Sequence, residues 1–180
     1  MSNINAPRGF KPVRMKDGSD NIPMNAYTIA DDYATKIHTG AAVKQAAGGI
    51  IELAAAGDSI CGVFGGVRYT SVEGESVWKK YWDAPTGATD IECLVYDDPN
   101  TIFEVQSNSA VDAKIGNTGD LVAGTADDKT GLSGQSFNAT TATDGNKVFR
   151  IRGIVKRPDN VDGDFVKIEV ETVAAKHQLV

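Results

Sequence analysis

From Gly62 to Gln106 the chain is a succession of short aromatic and β-branched runs, each closed by Gly, Pro, Asp or Asn. Gly62-Val63-Phe64-Gly65-Gly66-Val67-Arg68-Tyr69 comes first, then Lys80-Tyr81-Trp82-Asp83-Ala84-Pro85, then Val95-Tyr96-Asp97-Asp98-Pro99-Asn100-Thr101-Ile102-Phe103-Glu104-Val105-Gln106. Such punctuation leaves no room for a long helix and predicts strands joined by tight turns. Residues 90–96 and 101–106 are read as two strands. The turn between them has a mechanism, since Pro presets φ and Asp and Asn side chains bond back to the backbone. The polar stretch Val72-Glu73-Gly74-Glu75 predicts a second hairpin, pairing 67–71 with 76–81. A helix over 78–82 would instead put both indoles on one face.

The rest of the chain has the same character. Ala-rich residues 31–56 invite a helix, but Gly40, Gly48 and Gly49 would each cost about 1 kcal/mol there relative to Ala. Tyr33, Thr35, Ile37 and Thr39 alternate with period two, the strand period. Short strands are expected near 27–30, 34–38, 41–45, 50–55 and 59–69. Residues 108–146 are a long polar tract, expected to be a functional loop or contact surface, with short strands at 121–123 and 136–137. Near the C-terminus, Val148, Arg150 and Arg152 alternate with Phe149 and Ile151. Val166, Ile168, Val170 and Thr172 then alternate with Lys167, Glu169 and Glu171. Both runs read as antiparallel strands with one wet face. The expected fold is mainly β: an antiparallel β-barrel or β-sandwich with an extended N-terminal arm and long polar loops.

That arm is set at residues 1–25, with a single β-rich domain over 26–180. Pro7, Pro12 and Pro23 forbid a continuous helix in it. Net charge is −6 over 180 residues. The first 16 residues carry Arg8, Lys11, Arg14 and Lys16 and no acid, leaving 14 basic against 24 acidic residues, or −10, on the remainder. A basic arm on an acidic body is expected to leave its own body or to bind an acidic neighbour. Deleting residues 1–16 is then expected to leave the body folded. An acidic chain is a poor general binder of nucleic acid. The N-terminus shows no signal-peptide h-region, and the longest apolar stretch, 46–57, is too short for a membrane span.

Little points to chemistry. His38 and His177 are the only histidines and read as surface or packing residues. Cys61 and Cys93 sit in apolar runs and read as free core thiols. Gly131-Leu132-Ser133-Gly134 misses the nucleophile-elbow spacing. Gly62-Val63-Phe64-Gly65-Gly66 fits no phosphate loop; its small residues suit closely crossing backbones or a bent strand. Asp97, Asp98 and Asn100, and Asp159, Asp162 and Asp164, read as Asx-turn residues rather than calcium ligands. The sequon Asn138-Ala139-Thr140 has no secretory context. No catalytic, cofactor-binding or metal-binding residue is assigned, and no enzyme activity is expected. Trp78, Tyr81 and Trp82, interleaved with Lys79 and Lys80, form an aromatic patch of the kind that concentrates energy at protein interfaces or stacks on bases.

The runs 62–69, 80–82 and 95–106, together with Thr130-Gly131-Leu132-Ser133-Gly134, Ile151-Arg152-Gly153, Pro158-Asp159-Asn160 and Gly163-Asp164, resemble a family of tailed-bacteriophage head decoration, cement or capsid-stabilising proteins. The resemblance covers roughly residues 59–173, as several short blocks in one order. It implies a β-barrel or β-sandwich on the capsid exterior of the virion. It also implies a homotrimer that bridges major capsid proteins of the HK97-like fold, with no cofactor, nucleic acid or membrane involved. On this reading the partner-binding residues are Arg8, Phe10, Lys11 and Arg14 of the arm and Trp78, Tyr81 and Trp82 of the hairpin. Two other readings stand beside it: a phage tail- or neck-associated structural protein, and a small carbohydrate- or oligonucleotide-binding β-barrel.

Overall fold

A computed structural model describes residues 3–143, 145 and 147–179. Its first strands are β1 (Lys11–Met15), β2 (Asn25–Tyr27), β3 (Ile37–His38), β4 (Ala42–Gln45), β5 (Ile51–Leu53), β6 (Gly62–Thr70) and β7 (Ser76–Lys79). They are followed by β8 (Tyr81–Trp82), β9 (Thr89–Tyr96), β10 (Thr101–Gln106), β11 (Thr118–Val122), β12 (Ser136–Thr143), β13 (Phe149–Ile154) and β14 (Lys167–Thr172). Only short 3-10 turns interrupt this pattern. No helix among the described residues is long and apolar enough to cross a membrane.

The strands form two antiparallel sheets, in the orders β1-β10-β14-β13-β11-β12 and β2-β9-β6-β4-β5, with β7 added on β6. Neither closes on itself, so the architecture is sandwich-like and not a barrel. One core lies between the sheets. Phe103, Phe149, Ile168 and Val170 of the first sheet meet Ala42 and Val63 from the second, together with Ile60 just before β6. A second core covers the opposite face of the second sheet, where Phe64, Val67, Cys93 and Val95 pack under Ile37 and Trp82 of the small β3–β8 ribbon. The middle strand β6 is therefore buried on both faces, which accounts for its nearly continuous apolar sequence.

The expected hairpin forms with Thr70 opposite Ser76 and Val67 opposite Lys79. It stops there. The chain turns at Lys80, and Tyr81 and Trp82 pair instead with His38 and Ile37. The Gly65-Gly66 pair serves close packing, as its composition suggested. A Cβ at Gly65 would meet Met24 Sδ and Tyr96, one at Gly66 would meet the Trp78 ring at 3.2 Å, and a bulge bends the strand between Phe64 and Gly66.

The N-terminal arm is extended as expected, but it lies on its own body. β1 forms the edge of the first sheet, with Lys11 opposite Glu104 and Met15 opposite Thr101. Phe10 is fully buried and stacks on Phe149 with ring centroids 4.2 Å apart. Its N–H donates to the Gly40 carbonyl at 2.8 Å. Pro12 sits in this edge strand, where a missing N–H is tolerated and blunts further pairing. The expectation that residues 1–16 could be removed without disturbing the body is corrected: the deletion would take an aromatic ring out of the main core.

Candidate interaction surface

The outer face of the first sheet follows from strand alternation. Phe103, Val105, Phe149, Ile151, Ile168 and Val170 point into the core. Their neighbours must point away. Two rows of side chains then cross the sheet. In one, Lys11, Glu104, Glu169 and Gly153 stand side by side on β1, β10, β14 and β13. In the other, Arg14, Ile102, Glu171 and Arg150 do so, with Ile102 itself fully buried.

Glu104 directly opposite Glu169 is a like-charge cross-strand pair, unfavourable by itself. Cations on either side offset it. Arg157 forks onto Glu104, with Nη1 and Nη2 donating to the two carboxylate oxygens at 3.1 and 2.5 Å. Arg14 Nη2 donates to Glu169 at 2.5 Å. Glu171 serves three cations: Arg152 at 2.7 Å, Lys16 at 3.3 Å and Arg150 at 4.0 Å. Partial burial works to raise the Glu171 pKa, but Arg152 and Lys16 outweigh it and hold the carboxyl below its ordinary value. Among the described residues Arg8, Lys11 and Lys167 have no ion-pair partner. At the arm end of the face, a groove of about 330 Å³ is lined by Arg8, Lys11, Glu104, Gln106, Arg157 and Lys167.

The sequence-predicted residues thus divide. Arg8, Lys11 and Arg14 come together on or beside this face. Phe10 does not, because its ring is in the core. The aromatic patch at 78–82 is split by the turn at Lys80. Trp78 is 57% exposed and lies over Gly66. Trp82 is fully buried, donates its indole N–H to the Tyr33 carbonyl at 3.0 Å, and meets Tyr69 edge-on. Tyr81 is half-buried and stacked on His38 at 4.8 Å. The three rings do not make one platform, and neither Phe10 nor Trp82 is open to a partner.

The polar tract 108–146 is held down by partners distant in sequence. His38 Nε2 lies 2.8 Å from Asp128 Oδ1, and Lys36 pairs with the same carboxylate, lowering its pKa. Thr39 bridges to Leu132, and Gln135 accepts from the Ala42 N–H at 2.8 Å. Gly124 and Gly134 pass so closely that a Cβ on either would overlap backbone of the facing segment.

Sequence reasoning missed Arg150, Arg152, Arg157 and Lys167 as members of a surface site. The alternation at 148–152 and 166–172 marks their wet face but carries no information on which strands lie beside it.

The groups with latent reactivity are otherwise engaged. Cys61 and Cys93 are unbonded to each other and fully buried, and burial pushes each thiol up to about 12. Asp97 accepts from Asn25 at 2.9 Å and from Tyr27 at 2.6 Å, so it ties β2 to the end of β9. Burial and that hydrogen bond push the Tyr27 hydroxyl well above its ordinary range. Asp98 caps its own turn by accepting from the Asn100 N–H at 2.7 Å. His177 is also buried, and desolvation lowers its pKa. Among the described residues no group of three or more His, Cys, Asp or Glu side chains is placed to hold a metal ion. Comparison with protein-family models, with curated proteins and with solved structures finds no match.

Proposed function

We propose that this chain is a structural protein of a tailed-phage virion: a decoration or cement protein that sits on the outside of an icosahedral head. There it bridges major capsid subunits and works as a non-enzymatic homotrimer. The sequence blocks at 62–69, 95–106, 151–153, 158–160 and 163–164 support the family. The observation that carries the mechanical role is the outer face of the first sheet, a broad charged surface on a doubly cored body whose thiols are buried and protonated. Two cores resist deformation, and a sheet face presents many weak contacts at once. Contacts of that kind become strong when a trimer engages several subunits together.

The test is the mass in solution by light scattering, followed by addition to heads that lack this polypeptide and electron microscopy of the product. A trimer found on the shell supports the proposal. A monomer that leaves bare heads undecorated defeats it, and label confined to the tail or neck moves the protein there. Among the described residues the exposed ring of Trp78 is the feature that favours ligand stacking. Glycan or oligonucleotide binding that Trp78→Ala abolishes would replace the structural reading with the small-ligand one.

A further inference from the structure

We propose that the outer face of the first sheet is the docking face of this protein, and that its partner there is an acidic protein surface. The inference rests on the reading above only for the identity of that partner, a neighbouring shell subunit.

Charge distribution is the first argument. The two rows and their flanks carry Lys11, Arg14, Lys16 and Lys167 with the guanidinium groups of 150, 152 and 157, against the carboxylates of 104, 169 and 171. Seven cations over three carboxylates give the face a formal +4. A chain of net −6 then holds −10 everywhere else. This polarity differs from the linear one in the sequence. Only part of it comes from the arm, and the remainder comes from β13, β14 and the loop between them, more than 130 residues later.

Openness is the second argument. Arg150 is 50% exposed and Arg152 40%. A Cβ built on Gly153, the cross-strand neighbour of Glu169, would meet no atom within 4 Å. The groove at the arm end adds Arg8 to the unpaired Lys11 and Lys167, so three cations there have no carboxylate of their own. A carboxylate-bearing segment of a partner fits that groove. Charge complementarity of this sort steers encounter and sets specificity more than it adds affinity.

The same features favour protein over a polyphosphate. Glu104, Glu169 and Glu171 stand in the middle of the face, where a phosphate backbone would be repelled. A partner surface of mixed charge can set its own Lys or Arg against them. The strongly acidic remainder of the body also opposes a long nucleic acid that overruns the face.

The experiment uses the full chain with an acidic peptide of mixed charge (Glu-rich, with Lys at intervals), duplex DNA and anionic phosphatidylserine vesicles as probes, and separately with bare heads. Lys11→Glu with Lys167→Glu reverses two cations without breaking an internal ion pair. Lys11→Gln with Lys167→Gln is the milder variant, should the reversal fail to fold. Glu73→Lys with Glu75→Lys, on the distant β6–β7 turn, is the control. Expected is binding of the mixed-charge acidic peptide that weakens with salt, falls at least ~10-fold in the reversed variant, falls less in the neutral one, and is undiminished in the control. Equal binding by wild type and both lysine variants overturns the proposal. So does tighter binding to DNA or vesicles than to the mixed-charge peptide at matched net charge. On heads, unchanged binding by the reversed variant sinks the face while leaving the virion reading intact. Failure of the wild type to bind heads sinks the virion reading, and the acidic-peptide series then decides the face.

Discussion

Replacing Phe10 by Ala distinguishes an arm that merely leans on the body from one that completes it. The ring is fully buried and stacked on Phe149 with centroids 4.2 Å apart and planes 18° from parallel. The flanking backbone is held by N–H donations from Gly9 to Gln135 and from Phe10 to Gly40, at 3.2 and 2.8 Å. Because the neighbours are fixed strands, the site has little freedom to collapse. Truncating a buried Phe in such a place costs about 3–5 kcal/mol. A domain of this size has roughly 5–15 kcal/mol in total, so the loss is a large share of it. Each kcal/mol lowers Tm by about 2–4 °C in chains of 150–250 residues, which places the drop at roughly 6–20 °C. Urea unfolding followed by fluorescence of the buried Trp82 measures it directly. Arg8→Ala, at an exposed neighbour, should stay within about 0.5 kcal/mol. A Phe10→Ala loss below about 1 kcal/mol would refute the packing argument. Easy proteolysis of the wild-type arm in the native state would show that β1 is not annealed.

Three further outcomes follow from other parts of the structure. Trp82→Ala should cost about 3–5 kcal/mol while Trp78→Ala, over an exposed patch, costs under about 1 kcal/mol; similar losses in urea titrations of the two would contradict their burial. Gly134→Ala forces a methyl into the Thr125 backbone, so protease cleavage within 123–135 should accelerate sharply, and an unchanged cleavage pattern would argue against the close crossing. Desolvation holds His177 below its ordinary value. The unfolded chain therefore takes up that proton first, near pH ~6.5, and stability present above that pH declines as pH falls toward the folded pKa. His177→Gln should flatten this slope in denaturant titrations between pH ~7 and ~5, and an unaltered slope would remove His177 as its source.

Much of the local architecture was legible in the chain. The turn at Asp97–Asn100 joins strands that begin and end within a residue of their expected limits, because Pro and Asx side chains act on their immediate neighbours. The 67–79 hairpin, the free buried cysteines and the wet faces of 149–154 and 167–172 were legible for the same reason. Period and turn chemistry are properties of consecutive residues. The polar tract was harder. Its loops are pinned by His38, Thr39 and Ala42, some 90 residues upstream, and no periodicity reports such pairs.

The arm and the aromatic patch show where local evidence stops. Arg8, Phe10, Lys11 and Arg14 look alike as members of a basic arm, yet one ring became core and the cations became surface. Trp78 and Trp82 are four apart, yet the turn at Lys80 sent one to solvent and one to the second core. By itself the sequence determined the β class, most turns and which side of each late strand meets water. Only the tertiary structure decided that β1 borders β10 and that β14 borders β13, and thereby gathered scattered lysines and arginines onto one face. Strand adjacency is a long-range choice, settled by which apolar faces bury one another, and no single segment carries that information.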